Sequence, residues 1–256
     1  MANLKQSNAL FCYDGSFEGF LTLVFAAYAH HAAPADIQPV SCAQPMLGQQ
    51  VVEVATDFVL AERVKVGICN RAGYKTFACL EKAFRSCVTG REPGLFAYIV
   101  LAMDGGRRGA RDLSNKTVAD VERLCLKTEN EMEYMRQFVR FQLMENGVYA
   151  AVVNPCADVL PLVMGFFVER YNSQPFIIYD EVHHIAALWD LQHASYVRTD
   201  EFTMPSQSEE EDAYERLWKT FYDSISNEQR FNPDLRRAHM PKRFWKNLTE
   251  IQMAVK

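Results

Sequence analysis

The sequence predicts an α+β protein: a helical N-terminal half, a central β-β-α-β-β antiparallel sheet, and C-terminal helices packed back on it. Three observations carry that expectation. Residues 11–28, FCYDGSFEGFLTLVFAAY, pass from a strand-like run through one tight turn into an apolar helical period. From about residue 137 the apolar period becomes two, and Asn146–Gly147 supplies a hairpin signal. After Ser208 the aromatic residues return to helical spacing.

The elements follow in order. The turn at Asp14–Gly15 opens a helix at Ser16, and Phe17, Phe20, Leu21, Val24, Phe25 and Tyr28 share its apolar face. Residues 32–50 are rich in Pro, Gln and small side chains and are expected to be a loop. Helices are expected at about 57–69, 75–89 and 94–103. The segment GGRRGARD at 105–112 breaks the pattern and is flexible by composition. Another helix then carries Val118, Val121, Cys125 and Thr128 on one side. Val139, Phe141 and Leu143 alternate with Arg140 and Gln142 in a strand, and Val148, Ala150 and Val152 return it. Asn154–Pro155 caps a helix running to about Tyr171, with a kink or a late start at Pro161. Strands at 175–180 and 184–191 complete the sheet. A polar link at 199–208 leads to a helix with Tyr214, Leu217, Trp218, Phe221 and Ile225 on one face, and further helical starts occur at Pro233 and Pro241.

The 256 residues are expected to form one continuous domain, with a soft boundary at 104–116 between a mainly helical 1–103 and an α+β 117–256. No uninterrupted apolar run approaches the roughly 18 residues of a membrane span. The N-terminus MANLKQSNALF lacks the charged and apolar regions of a signal peptide. The seven cysteines are scattered and no CxxC occurs, which points to reduced thiols in a cytoplasmic protein rather than a disulfide frame, zinc site or iron–sulfur cluster. Neither a metal site nor a cofactor is expected.

The net charge of −5 argues against nucleic-acid binding over the whole surface, but the charge is uneven. Residues 200–215 carry seven acidic side chains and no Lys or Arg, whereas 230–246 carry Arg230, Arg236, Arg237, Lys242, Arg243 and Lys246 against only Asp234. Arg236, Arg237, Lys242, Arg243 and Lys246 are candidates to meet phosphates, with Phe244 and Trp245 to stack on bases. The bland alternative is that the aromatics pack into the core and the cations form a solvated rim. Arg107 and Arg108 in the glycine-rich segment are candidates for a phosphate clamp, although no P-loop Lys-Ser/Thr ending follows. Arg140 is expected on the open face of a sheet, serving either nucleic acid or an ion pair. Asp14, Glu18 and Asp180 are the candidate catalytic groups. Asp14 and Glu18 sit beside the amides of a helix N-terminus, which is also how an ordinary helix is capped.

Several motifs resemble those of a bacterial family described as "probable DNA metabolism protein". They are YDGSFEGFL at 13–21, FVRF at 138–141, VLPLV at 159–163, Arg170–Tyr171, IYD at 178–180, RFNPDL at 230–235 and MPKRFWKNLTE at 240–250. The resemblance runs in order along nearly the whole chain. It departs at Phe166–Phe167, where the family tends to have His-Phe, and at Glu181, where the family tends to have a basic residue. The resemblance implies a place beside a radical-SAM protein of DNA modification or repair, and in some members fusion to a uracil-DNA-glycosylase-like domain.

The leading expectation is therefore an accessory protein of DNA modification or repair, binding DNA and acting with a radical-SAM partner. One alternative is an enzyme on a nucleotide or nucleobase that uses the Tyr13–Glu18 turn and Asp180. Another is a protein–protein adaptor whose acidic 200–215 stretch docks a basic partner.

Overall fold

A computed structural model of the chain describes residues 4–200, 211 and 240–248. Among them no helix is long and apolar enough to cross a membrane. The chain packs as two compact units, Met1–Glu129 and Asn130–Lys256, divided within one long helix. The 104–116 segment lies inside the first unit.

The first unit is not simply helical. Strands β1 (Lys5–Gln6) and β2 (Ala9–Tyr13) lead into helix α1 (Phe17–Ala29), followed by β3 (Ala32–Ala33), β4 (Asp36–Pro39), a 3-10 turn at Val40–Cys42 and β5 (Gln50–Glu53). The expected loop at 32–50 therefore holds two short strands, β3 and β4, and ends at the first residue of β5. Sheet order β4-β2-β5 is parallel throughout, and β1 pairs with β3. Strand β2 is central, and all five of its residues are buried, as a parallel strand between neighbours requires. Helices α2 (Phe58–Ala72), α3 (Tyr74–Phe84) and α4 (Glu92–Gly109) follow, then the start of α5 (Lys116–Phe138). In the core Tyr13 packs on Phe20 and Phe84, and Phe17 joins Phe84 to Phe77. The Tyr13 hydroxyl donates to the buried Glu92 carboxylate (3.4 Å), and burial with that negative neighbour pushes the phenol up.

The glycine-rich segment is not a flexible loop. Helix α4 continues through Gly109 with one kink at Gly106, whose φ of +59° glycine adopts without strain, and a turn follows at 110–111.

The second unit is a mixed five-stranded sheet of order β10-β9-β8-β7-β6, so the expected antiparallel arrangement needs correction. Its strands are β6 (Gln142–Leu143), β7 (Tyr149–Val153), β8 (Phe176–Asp180), β9 (Ile185–Trp189) and β10 (Ala194–Arg198). Asn146–Gly147 does make the hairpin turn between β6 and β7. Helix α6 (Leu160–Arg170) then carries the chain across the sheet, so β7 and β8 pair parallel. Pro161 falls in the first turn of α6, the late start anticipated from sequence. Helix α5 persists to Phe138, and only Gln142–Leu143 of the expected strand at 137–143 pairs. A 3-10 helix at Lys242–Asn247 buries Phe244 in the core with Tyr134 and Phe138. Apart from Glu211, the expected helix after Ser208 lies outside the described residues, as does the one at Pro233.

Candidate functional site at the carboxyl edge of the second sheet

Parallel strands place their carboxyl ends on one edge, where open α/β sheets hold ligands. In the second unit that edge is formed by β7, ending at Val153, and β8, ending at Asp180; the Glu181 amide donates to the Val153 carbonyl (3.1 Å). Polar side chains collect there.

Asp180 is fully buried. One carboxylate oxygen accepts from the amides of Val182 (2.9 Å) and His183 (3.1 Å), and the other accepts from His183 Nδ1–H (2.7 Å). The tight 181–184 turn between β8 and β9 brings this about. Burial alone would push the imidazole down. The Asp180 hydrogen bond and charge, with Asp158 adding, outweigh it and leave His183 above its ordinary value. Asp180 engages the Nδ1 side, so Nε2 is the nitrogen presented to solvent or a ligand, on a side chain 23% exposed. Such an oriented Asp–His pair can hold or move a proton. His183, His184 and His193 do not converge on a metal position.

The neighbouring Glu181 accepts from Asn154 and is ion-paired with Lys246, whose ammonium holds the carboxyl below its ordinary value. The Asn247 amide donates to Asn154 Oδ1 (2.8 Å). Glu131 accepts from the Cys156 amide (3.0 Å) and pairs with Arg243, whose guanidinium stacks on Phe244. Cys156 lies in the loop ahead of α6, which begins at Leu160.

The 3-10 helix sorts its side chains by threes, since residues i and i+3 eclipse. Phe244 is buried and Asn247 bonds Asn154. Arg243 and Lys246 are both spent on carboxylates. Lys242 is exposed, and Trp245, on the same face, is half-buried with its indole N–H donating to the Met240 carbonyl (3.0 Å). Of the candidate phosphate contacts in this segment, Lys242 is therefore the exposed cation without a carboxylate partner among the described residues. Arg236 and Arg237 lie outside them.

The other candidates sit elsewhere. Arg107 and Arg108 are exposed on the last turn of α4, where cations complement the helix dipole. Arg140 follows the end of α5 rather than lying on a sheet face, and donates to the Gln137 (3.0 Å) and Val139 (3.3 Å) carbonyls. Asp14 belongs to the first unit and Asp180 to the second. Asp14 accepts from the Ser16 amide (2.9 Å) and hydroxyl (2.6 Å) and from Thr56 (2.8 Å), while Ser16 caps α1 through Gly19 N (2.9 Å). Partial burial pushes Asp14 up, but these donors outweigh it and hold the carboxyl below its ordinary value. Glu18 is exposed on the first turn of α1.

The sequence places Glu181 and His183 beside Asp180, but gives no sign that Asn154 and Glu131 join them through Lys246 and Arg243 of the 3-10 helix. The available signal was the Asp180-x-x-His183 spacing at a strand end followed by a turn. Asn154 read only as a helix cap.

A family model described as "Domain of unknown function (DUF4130)" matches residues 89–250, more than half the chain, including this edge and the 242–247 helix but not the 13–21 motif. No curated protein and no solved structure matches the chain.

Proposed function

We propose, from the premise that this chain belongs to the DUF4130 family, that it is an accessory protein of DNA modification or repair. It binds nucleic acid and acts with a radical-SAM partner, and a uracil-DNA-glycosylase-like protein is a further partner to test; the partners follow from the motif resemblance at 13–21, 138–141 and 240–250. The observation that carries the binding part is the 3-10 helix. Buried Phe244 and the Arg243–Glu131 and Lys246–Glu181 pairs pin it, and on one face it carries the exposed cation Lys242 beside the half-buried indole of Trp245. Single-stranded nucleic acid is held by that combination, phosphate on cation and base on ring. Arg236 and Arg237 extend the positive charge in sequence.

Fluorescence anisotropy of single- and double-stranded oligonucleotides across a salt series tests this. Affinity should fall steeply with salt and drop in the Arg236→Ala/Arg237→Ala/Lys242→Ala variant. Absence of binding at low salt would overturn it.

The Asp180–His183 pair favours a second reading, an enzyme on a nucleotide or nucleobase with His183 as proton carrier. Under that reading, His183→Gln abolishes turnover of a nucleoside substrate while oligonucleotide affinity is retained.

A further inference from the structure

A different corner of the first unit gathers metal-binding side chains. Helices α3 and α5 are fastened there by the Lys82–Glu129 ion pair (2.7 Å) and by the Thr128 hydroxyl donating to the Lys82 carbonyl (2.8 Å). Beside these contacts lie Cys79 on α3 and Cys125 on α5, both buried. Glu122 precedes Cys125 by one turn on the same face of α5. The two sulfurs and a Glu122 carboxylate oxygen all lie within 4.8 Å of one another. Glu129 Oε1 is 3.9 Å from the Cys125 sulfur. The cluster opens on a cavity of about 400 Å³ that Lys75, Tyr98 and Arg111 also line.

Two buried thiols alone would be ordinary small core residues. The carboxylate changes the chemistry. Among the described residues no Lys or Arg is ion-paired with Glu122, and the nearby Lys82 is already engaged by Glu129. Two thiols and a carboxylate turned to one point form a donor set for a borderline-soft divalent ion. Metal–sulfur bonds of about 2.3 Å and metal–oxygen bonds of about 2.1 Å put tetrahedral ligands roughly 3.5–3.8 Å apart, so the observed cluster closes with side-chain adjustment of about 1 Å.

We propose that Cys79, Glu122 and Cys125 bind a divalent cation of the Zn²⁺ class, with the fourth position facing the cavity and filled by water. Binding releases a proton from each thiol, and affinity therefore falls in acid. Three protein ligands with an open position on a cavity is the arrangement of a site that can polarise a bound molecule, not a closed structural one.

Titration of the reduced, chelator-treated full chain with Co²⁺ tests the site. One Co²⁺ per chain should bind with a thiolate-to-cobalt charge-transfer band that Zn²⁺ displaces. Cys125→Ser should abolish the band. Glu122→Gln keeps both thiols, and should weaken binding by more than the roughly 10–100-fold typical of losing an outer-shell partner. Changing the exposed thiols Cys87 and Cys156 to Ser should leave it intact. Circular dichroism separates loss of ligation from loss of fold, with Glu122→Gln deciding if Cys125→Ser unfolds. Absence of the band in reduced protein, its survival in the Cys79→Ser/Cys125→Ser variant, or a Cys79–Cys125 disulfide that forms equally fast with Zn²⁺ present would overturn the proposal.

Discussion

Lys242 and Arg243 are adjacent in sequence and opposite in consequence. The Arg243 guanidinium neutralises Glu131, a side chain only 10% exposed, so Arg243→Ala strands a buried carboxylate. Such a loss costs about 1–3 kcal/mol, whereas the exposed Lys242→Ala should leave the urea midpoint unchanged. Equal midpoints for both variants would contradict this assignment. His183 gives a pH signature. Its folded-state value lies above the ordinary one, so its stabilising contribution is full below about pH 6.5 and is lost as pH rises through the folded value. The stability gap between wild type and His183→Gln should accordingly shrink with rising pH, and Asp180→Asn should lower the imidazole titration midpoint seen by NMR. A gap that widens toward alkaline pH would contradict the pairing.

Among the elements, the β2–α1 turn makes the sharpest prediction. A Cβ at Gly19 would run into the Asp14 carboxylate and lie 2.7 Å from Thr56 Oγ1. Glycine to alanine in a helix normally stabilises by up to about 1 kcal/mol. Here Gly19→Ala should destabilise by about 1–3 kcal/mol, and the cap variant Ser16→Ala by about 1 kcal/mol, both read by thermal or urea unfolding. This turn was legible in the sequence because its strand, cap and helical period are all local. The parallel sheet was not. Strands β4 and β5 are four residues each, with only Ile37 buried between them, and their pairing to β2 is set by non-local contacts. Helix α4 passed for a loop beyond 103 because glycine content signals flexibility, while a single kink at Gly106 accommodates the segment. The parallel order of β7 and β8 was implicit in the strand–helix–strand succession and was misread as antiparallel.

For the whole molecule, a net charge of −5 confines any nucleic-acid contact to a local face. The basic character of 230–246 was plain from composition. Which cations are already paired was not, because Glu131 and Glu181 are distant in sequence and the sorting depends on 3-10 register. The Cys79–Glu122–Cys125 cluster escaped for the same reason: its thiols come from separate helices, without the close spacing that marks a zinc site. If Lys242, Arg236 and Arg237 carry binding, each phosphate contact removed should flatten the dependence of log affinity on log salt by about 0.7 for single strands. The most direct measurement is photocrosslinking of a short single-stranded oligonucleotide to the full chain at low salt, followed by peptide mapping. The account predicts adducts within 236–246, centred on Trp245 and suppressed by added salt. Adducts confined to other segments, or none at low salt, would contradict it.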